Sequence, residues 1–98
     1  MATMDMDLLE QMQCDLASFQ SGTVSVGDLG NRLLRLRDRL EFEDAVWYRA
    51  LTDQIATLDS ASTFVPASAS EEQVARQAVV VAVDAIKRLV DAKAAQLR

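Results

Sequence analysis

The chain has 98 residues, a length that fits a single domain over residues 1–98. Half of the residues are apolar and 26% are charged, a composition that is typical of a globular protein and excludes a disordered segment. The formal net charge is −5, from 15 acidic and 10 basic residues, so a phosphate backbone is repelled and no nucleic-acid partner is expected. The sequence has no histidine and one cysteine, Cys14, which excludes a Ser–His–Asp or Cys–His catalytic arrangement and an intramolecular disulfide.

The first predicted helix spans residues 4–20. Its apolar residues recur at spacings of three and four, which marks one buried helix face; they are Leu9, Met12, Leu16 and Phe19. Asp5, Asp7 and Glu10 lie in its first turns, where negative charge complements the helix dipole. Gly22 stands where a helix terminus favours glycine, so the helix is predicted to end just before it.

The second predicted helix spans residues 26–40 and begins after Ser25, with Asp28 completing an approximate capping box. Four leucines form a heptad-like seam along it: Leu29, Leu33, Leu36 and Leu40. A neighbouring stripe carries the one basic cluster: Arg32, Arg35, Arg37 and Arg39. We interpret this stripe as a solvated face with (i, i+4) ion pairs, from Asp28 to Arg32 and from Arg39 to Glu43. The alternative is that the arginines bind phosphates or a carboxylate-rich partner.

The boundary between the second and third helices contains no glycine or proline. We predict a turn there, because a compact domain does not easily cover one continuous helix over residues 26–61. The third helix is then predicted over residues 43–61. Its buried face carries Trp47, Leu51, Ile55 and Leu58.

The fourth predicted helix spans residues 70–96 and begins at Ser70, which forms a capping box with Gln73. One face carries Ala75, Ala78, Ala82, Ile86 and Leu89. Five consecutive apolar residues, 79–83, put valine on every side, so this helix is either central or meets another chain. In the preceding connection, Phe64 and Val65 are expected to pack against the bundle. The predicted fold is an all-α, antiparallel four-helix bundle.

Motifs for catalysis, cofactors or metals are missing from the sequence. It has no CxxC pair, no glycine-rich phosphate loop and no Glu-x-x-His pair for a di-metal site. We therefore expect no enzyme activity, no cofactor and no metal. No apolar run reaches the length that spans a bilayer, and residues 1–7 lack the basic start of a signal peptide. We expect no membrane contact and a cytoplasmic location.

A candidate partner-binding surface lies on the flank of the third helix. Trp47 is predicted to face the core, and Tyr48 then points about 100 degrees away around the helix. Aromatic residues are enriched among those that dominate interface energetics. The predicted partner-binding residues are Glu41, Asp44, Tyr48 and Asp59. The alternative is a solvated acidic face around a partly covered tyrosine.

Residues 15–22 read Asp-Leu-Ala-Ser-Phe-Gln-Ser-Gly and precede a Ser-initiated leucine helix and a Trp-bearing helix that closes at Leu58 and Asp59. Over residues 7–59 this pattern resembles the small helical immunity proteins of colicin D-like toxins. The resemblance implies an acidic helical bundle that occludes the active site of a basic nuclease toxin.

These features suggest two main functions. The first is an immunity or antitoxin-type protein that neutralises a basic toxin by stoichiometric binding, since net negative charge attracts a basic partner. The second is a self-associating adaptor, scaffold or chaperone-like bundle, with a homodimer formed through Val79, Val80 and Val83 of the fourth helix. A third hypothesis is a nucleic-acid regulator that uses the arginine stripe.

Overall fold

The computed structural model describes residues 3–98, so Met1 and Ala2 of the predicted domain lie outside the described residues. It contains four helices: α1 (Thr3–Gln20), α2 (Val26–Arg39), α3 (Ala45–Thr63) and α4 (Ala69–Leu97). Each helix packs against the next one in the chain, and α4 closes the ring by packing against α1. The connections have five residues each, which makes consecutive helices antiparallel. The predicted all-α four-helix bundle is confirmed.

Six of the eight helix boundaries differ from the prediction by one or two residues, and capping groups explain two of these differences. α3 begins at Ala45 because the Asp44 side chain accepts a hydrogen bond from the Trp47 amide at 3.1 Å. α4 begins at Ala69, one residue before the predicted start, because the N-cap is Ser68, whose Oγ accepts from the Glu71 amide at 3.2 Å. The Glu71 carboxylate accepts in turn from the Ala67 amide at 3.2 Å, which stabilises the start of this helix further.

Gly22 terminates α1 as predicted, and the structure shows the reason. Its φ angle is +85°, a left-handed conformation that only glycine adopts without a steric cost. The Thr23 amide donates to the Ser18 carbonyl and the Gly22 amide to the Phe19 carbonyl, both at 3.0 Å. These two bonds form a Schellman motif that pairs the last carbonyls of α1.

The core contains the apolar faces that the helical periodicity predicted. The fully buried side chains are Leu9, Met12, Leu16, Leu29, Leu33, Leu51, Leu58, Ile86 and Val90. Each of these contributes on the order of 1.5–3 kcal/mol when removed from water, so together they are the main source of stability. Phe19 and Leu36 lie half-buried at the margin of this core. On α4 the predicted face is correct only from Ala82 onward, since Ala78 is exposed.

α4 projects beyond the end of α1. The Gln13 side chain donates to Asp91 at 2.8 Å, which sets these two residues at the same level of the bundle. From that level α1 continues for about 10 Å to Gln20, whereas α4 continues for about 33 Å to Ala69, at 1.5 Å per residue. The first turns of α4 are therefore covered on fewer sides than the rest of the helix.

The expectation that Phe64 and Val65 pack against the bundle is wrong. Phe64 is 45% and Val65 85% exposed. The neighbours of Phe64 in a shallow depression are Ser70, Glu71 and Val74 from the first turns of α4, not core residues. The connection lies beside the part of α4 that extends beyond α1, so these two side chains have no core surface to pack against.

Two predicted ion pairs of the arginine stripe are also wrong. Arg32 lies 3.5 Å from Asp15 of α1 and so bridges two helices, where an (i, i+4) pair with Asp28 was expected. α2 ends at Arg39, so Arg39 and Glu43 are not one helical turn apart.

Within residues 3–98, no helix is both long enough and apolar enough to cross a membrane.

Candidate protein-binding surfaces

Charge is distributed unevenly among the helices. α1 has four acidic residues and no basic one, and α2 has four arginines against two aspartates. α4 has four residues of each sign. Residues 40–63, which form the α2–α3 connection and α3, have five acidic residues and one basic residue, Arg49. Negative charge is thus concentrated on α1 and on residues 40–63.

The carboxylates of α1 are partly withdrawn from the surface. Asp5 and Asp15 are buried, with exposures of 6% and 4%. Asp5 accepts a hydrogen bond from the Glu41 amide at 2.9 Å, and Asp15 contacts Arg32 and accepts from Gln11 at 3.1 Å. Sequence reasoning missed both. An acidic residue in the first turns of a helix, such as Asp5, is as easily explained by the helix dipole, and no local pattern places Asp15 beside Arg32 of the next helix.

Four of the five carboxylates of residues 40–63 form no ion pair with another residue of 3–98. Within residues 3–98, six of the ten basic side chains form ion pairs: Arg32, Arg37, Arg76, Lys87, Arg88 and Lys93. None of these pairs involves the four exposed acids of the connection and α3, which are Glu41, Glu43, Asp53 and Asp59. We call the exposed surface of the connection and of α3, which carries these four carboxylates, the exposed Arg49 and Val46 at 80% exposure, the acidic face.

The structure brings together three of the four predicted partner-binding residues. Glu41, Asp44 and Tyr48 lie at the end of the bundle where the α2–α3 connection meets α1 and α4. Asp59 lies eleven residues after Tyr48 on the same helix, about 16 Å away along its axis. Glu41 and Asp59 are exposed, so they are accessible to a partner, but the four residues do not form one compact site.

Asp44 has a structural role in the described chain. Its carboxylate caps α3 and accepts a hydrogen bond from Lys93 at 2.7 Å. The Lys93 hydrogen bond, followed by the bond from the Trp47 amide, holds the pKa of Asp44 below its ordinary value. Lys93 is only 8% exposed, so its ammonium group is largely buried where it connects the end of α4 to the start of α3.

Tyr48 belongs to an aromatic cluster with Phe42 and Trp47. The ring centroids are 4.9–5.4 Å apart, with the Phe42 and Tyr48 rings stacked and Trp47 edge-on to both. The Tyr48 hydroxyl donates to the Phe42 carbonyl at 2.7 Å, and Trp47 Nε1 donates to the Leu89 carbonyl at 2.9 Å. Burial, followed by the nearby Asp5 carboxylate, raises the pKa of Tyr48. The cluster covers the core, and its tyrosine is half-buried.

A second surface is an apolar groove between α3 and α4. It consists of two adjoining depressions of about 470 and 400 Å³ that share Gln54 and Val81. α3 contributes Trp47, Ala50, Gln54 and Thr57. α4 contributes the apolar side chains Val74, Ala78, Val81, Ala82, Ala85, Leu89 and Ala92 and the polar side chains Gln77, Asp84 and Arg88. Val74 and Val81 are 70% and 58% exposed, so the middle of α4 presents apolar side chains to solvent.

The valines predicted for self-association fall on different sides of α4. Val83 is in the core at 4% exposure and Val79 packs against the core, so neither is available to a second chain. Val80 is exposed, on the flank where α1 has already ended. The exposed valines of the groove, Val74 and Val81, were not singled out. Their spacing of seven residues is the signal that would have identified them.

Comparisons with protein families, curated proteins and solved structures found no match.

The chemistry offered by these surfaces is that of binding. Among the described residues, no group of three or more histidine, cysteine or carboxylate side chains is arranged to hold a metal ion. Cys14 is an exposed free cysteine on α1. The acidic face offers charge around an exposed valine, and the α3–α4 groove offers apolar area. These are the two components from which protein interfaces are built.

Proposed function

We propose that this protein is a non-catalytic protein-binding module of the immunity or antitoxin type, which neutralises a basic toxin by stoichiometric binding. The observation that carries the proposal is the acidic face, where four exposed carboxylates form no ion pair with another residue of 3–98. The resemblance of residues 7–59 to the immunity proteins of colicin D-like toxins supports the same function.

The acidic face attracts a cationic partner over a distance. Complementary charge accelerates diffusional encounter and disfavours partners of the same sign, and this contribution falls as salt screens it. Val46, which is 80% exposed on the same surface, supplies an apolar contact. The partner's arginine and lysine side chains would then pair with Glu43 and Asp53, which have no competing ion pair within residues 3–98.

The connection that carries part of the acidic face is held in place before binding. The Glu41 amide donates to Asp5, and the Phe42 carbonyl accepts from the Tyr48 hydroxyl. Lys93 fixes the Asp44 side chain at the start of α3. An ordered segment loses little conformational entropy when it binds, so the carboxylates are presented at a reduced entropic cost.

The proposal is tested by pull-down from the native host with tagged protein, washed at low and at high salt, followed by calorimetry with the basic protein recovered. We expect one-to-one binding that weakens steeply with salt. The double variant Glu43→Lys, Asp53→Lys should raise Kd by about 100-fold.

The matched control is Asp7→Lys, Glu10→Lys, which changes net charge by the same amount through two exposed carboxylates of α1. We expect it to raise Kd by less than about tenfold, because it alters only the long-range field. Equal losses for the two double variants, or binding that is indifferent to salt, would contradict the proposal.

A further inference from the structure

α4 has a second apolar stripe besides the one that faces the core. Val74, Ala78, Val81 and Ala85 follow each other at spacings of four, three and four. This is the spacing at which one helix packs along another. Val74, Ala78 and Val81 are exposed, and all four residues line the α3–α4 groove. The bundle itself leaves this stripe without a partner helix.

The stripe is complementary to a second copy of itself in one antiparallel register. When residues 79 and 80 lie at the centre of the pair, Val74 faces Ala85 of the partner subunit, and Ala78 faces Val81 of the partner subunit. Twofold symmetry repeats both contacts, so every layer sets one valine against one alanine. Large side chains opposite small ones interdigitate and allow the two helices to approach closely.

One charge pair of α4 also matches in the same register. Glu71 faces Arg88 of the partner subunit, and both side chains are exposed. Arg88 already pairs with Asp84 one turn away on α4, but this exposed pair is weak and exchanges readily for an intermolecular one.

We infer that the occupant of the α3–α4 groove is a second copy of this chain, bound through an antiparallel α4–α4 contact. The coincidence of size and charge complementarity in one register favours this occupant over an unrelated helix. The inference goes beyond the proposed function and does not depend on it, since the acidic face lies on the outer side of α3 and of the α2–α3 connection.

The size of the contact predicts no more than a weak to moderate affinity. The overlap of residues 71–88 is about 26 Å long and about 10 Å wide, which covers on the order of 260 Å² per copy. This is about a third of the roughly 800 Å² per partner that a standard interface buries. Seating the partner's α4 in the groove adds contacts with Ala50 and Gln54 of α3.

The test is sedimentation equilibrium of the purified protein between about 1 and 500 µM, a range that covers the micromolar affinities of moderate interfaces. We expect a monomer–dimer equilibrium. Val81→Glu should raise the dimer Kd by at least about 30-fold, because it buries a charge in the contact. Val80→Glu is the matched control, since Val80 is equally exposed, at 60%, but lies outside the groove. Circular dichroism and Trp47 fluorescence confirm that both variants fold.

The register is tested by charge reversal. Arg88→Glu should weaken the dimer by about tenfold, because it sets a carboxylate opposite Glu71 of the partner subunit. Lys87→Glu is the matched control, since Lys87 is also exposed but points away from the groove, and it should change the dimer Kd by less than about threefold. A protein that stays monomeric throughout the concentration range overturns the inference. So does a dimer that Val80→Glu and Val81→Glu weaken equally, or one that Arg88→Glu and Lys87→Glu weaken equally.

Discussion

The ammonium group of Lys93 lies 2.7 Å from the carboxylate of Asp44 and so connects the last helix to the N-cap of α3, 49 residues earlier in the chain. The lysine is almost completely buried, whereas about a third of the aspartate side chain is exposed. A buried ammonium needs a partner, because its desolvation is costly when no opposite charge is near. Asp44 therefore serves the fold twice, as a helix cap and as the counter-ion of Lys93.

Stability should fall at acid pH, in part through Asp44. Its pKa in the folded state is below its ordinary value of 3.8, so the folded state binds this proton less readily than the unfolded state. The contribution of Asp44 is therefore fully present above about pH 4 and is lost as pH falls through its folded-state pKa. Asp91, whose pKa is lowered by hydrogen bonds from Gln13 and Lys87, acts in the same direction.

The variant Asp44→Asn isolates this effect, because asparagine still caps a helix but carries no charge for Lys93. Urea denaturation at several pH values between 2 and 7 should show a smaller loss of stability on acidification than in the unmodified protein. Asp53→Asn, on the exposed side of the same helix, serves as the control. If Asp53→Asn flattened the pH dependence as much as Asp44→Asn, the assignment to the Lys93 pair would be wrong.

A second prediction concerns the buried carboxylate of Asp5, which accepts the Glu41 amide at 2.9 Å. Asp5→Ala leaves that amide without its acceptor and should lower the free energy of unfolding by about 1–3 kcal/mol. Asp5→Asn keeps an acceptor oxygen at the same place and should cost clearly less. Urea denaturation followed by Trp47 fluorescence compares the two, and hydrogen exchange at the Glu41 amide should accelerate mainly in Asp5→Ala. Equal losses of stability would show that the charge matters more than the acceptor.

The helices and the core could be predicted from the sequence because both follow from local periodicity. Leu9, Leu33, Leu51 and Ile86 each recur at helical spacing with other apolar residues, and all four are fully buried. The break between α2 and α3 was expected from compactness, and the structure places it at residues 40–44. Boundaries that depend on which of several serines caps a helix were less well determined, as Ser68 and Ser70 show.

The candidate surfaces were harder to predict because they depend on contacts between distant parts of the chain. Asp44 looked like a free surface carboxylate until Lys93, near the other end of the sequence, was placed beside it. Val83 and Val81 are two residues apart in one apolar run, yet one is buried and the other exposed. The two side chains point to nearly opposite sides of the helix, and an unbroken run of five apolar residues does not by itself indicate which side packs against the rest of the bundle.

A third prediction concerns two glycines with opposite roles. Gly22 has a φ angle of +85°, and a Cβ atom added there would meet no atom within 4 Å. The cost of Gly22→Ala is therefore conformational alone, about 1 kcal/mol of lost stability, because the left-handed region is unfavourable for alanine. Gly30 is a buried residue inside α2, where a Cβ would lie 3.7 Å from the Leu58 Cβ, an ordinary van der Waals distance.

Gly30→Ala should therefore raise stability by up to about 1 kcal/mol, since alanine is the better helix former and the added methyl group fits without displacing Leu58. Thermal and urea denaturation of the two single variants and of the double variant measure both effects. The double variant should return close to the original stability, because the two sites share no contact and their effects should add. A loss of stability in Gly30→Ala would show that α2 and α3 cannot accommodate one more methyl group, and that their close packing at this point requires glycine.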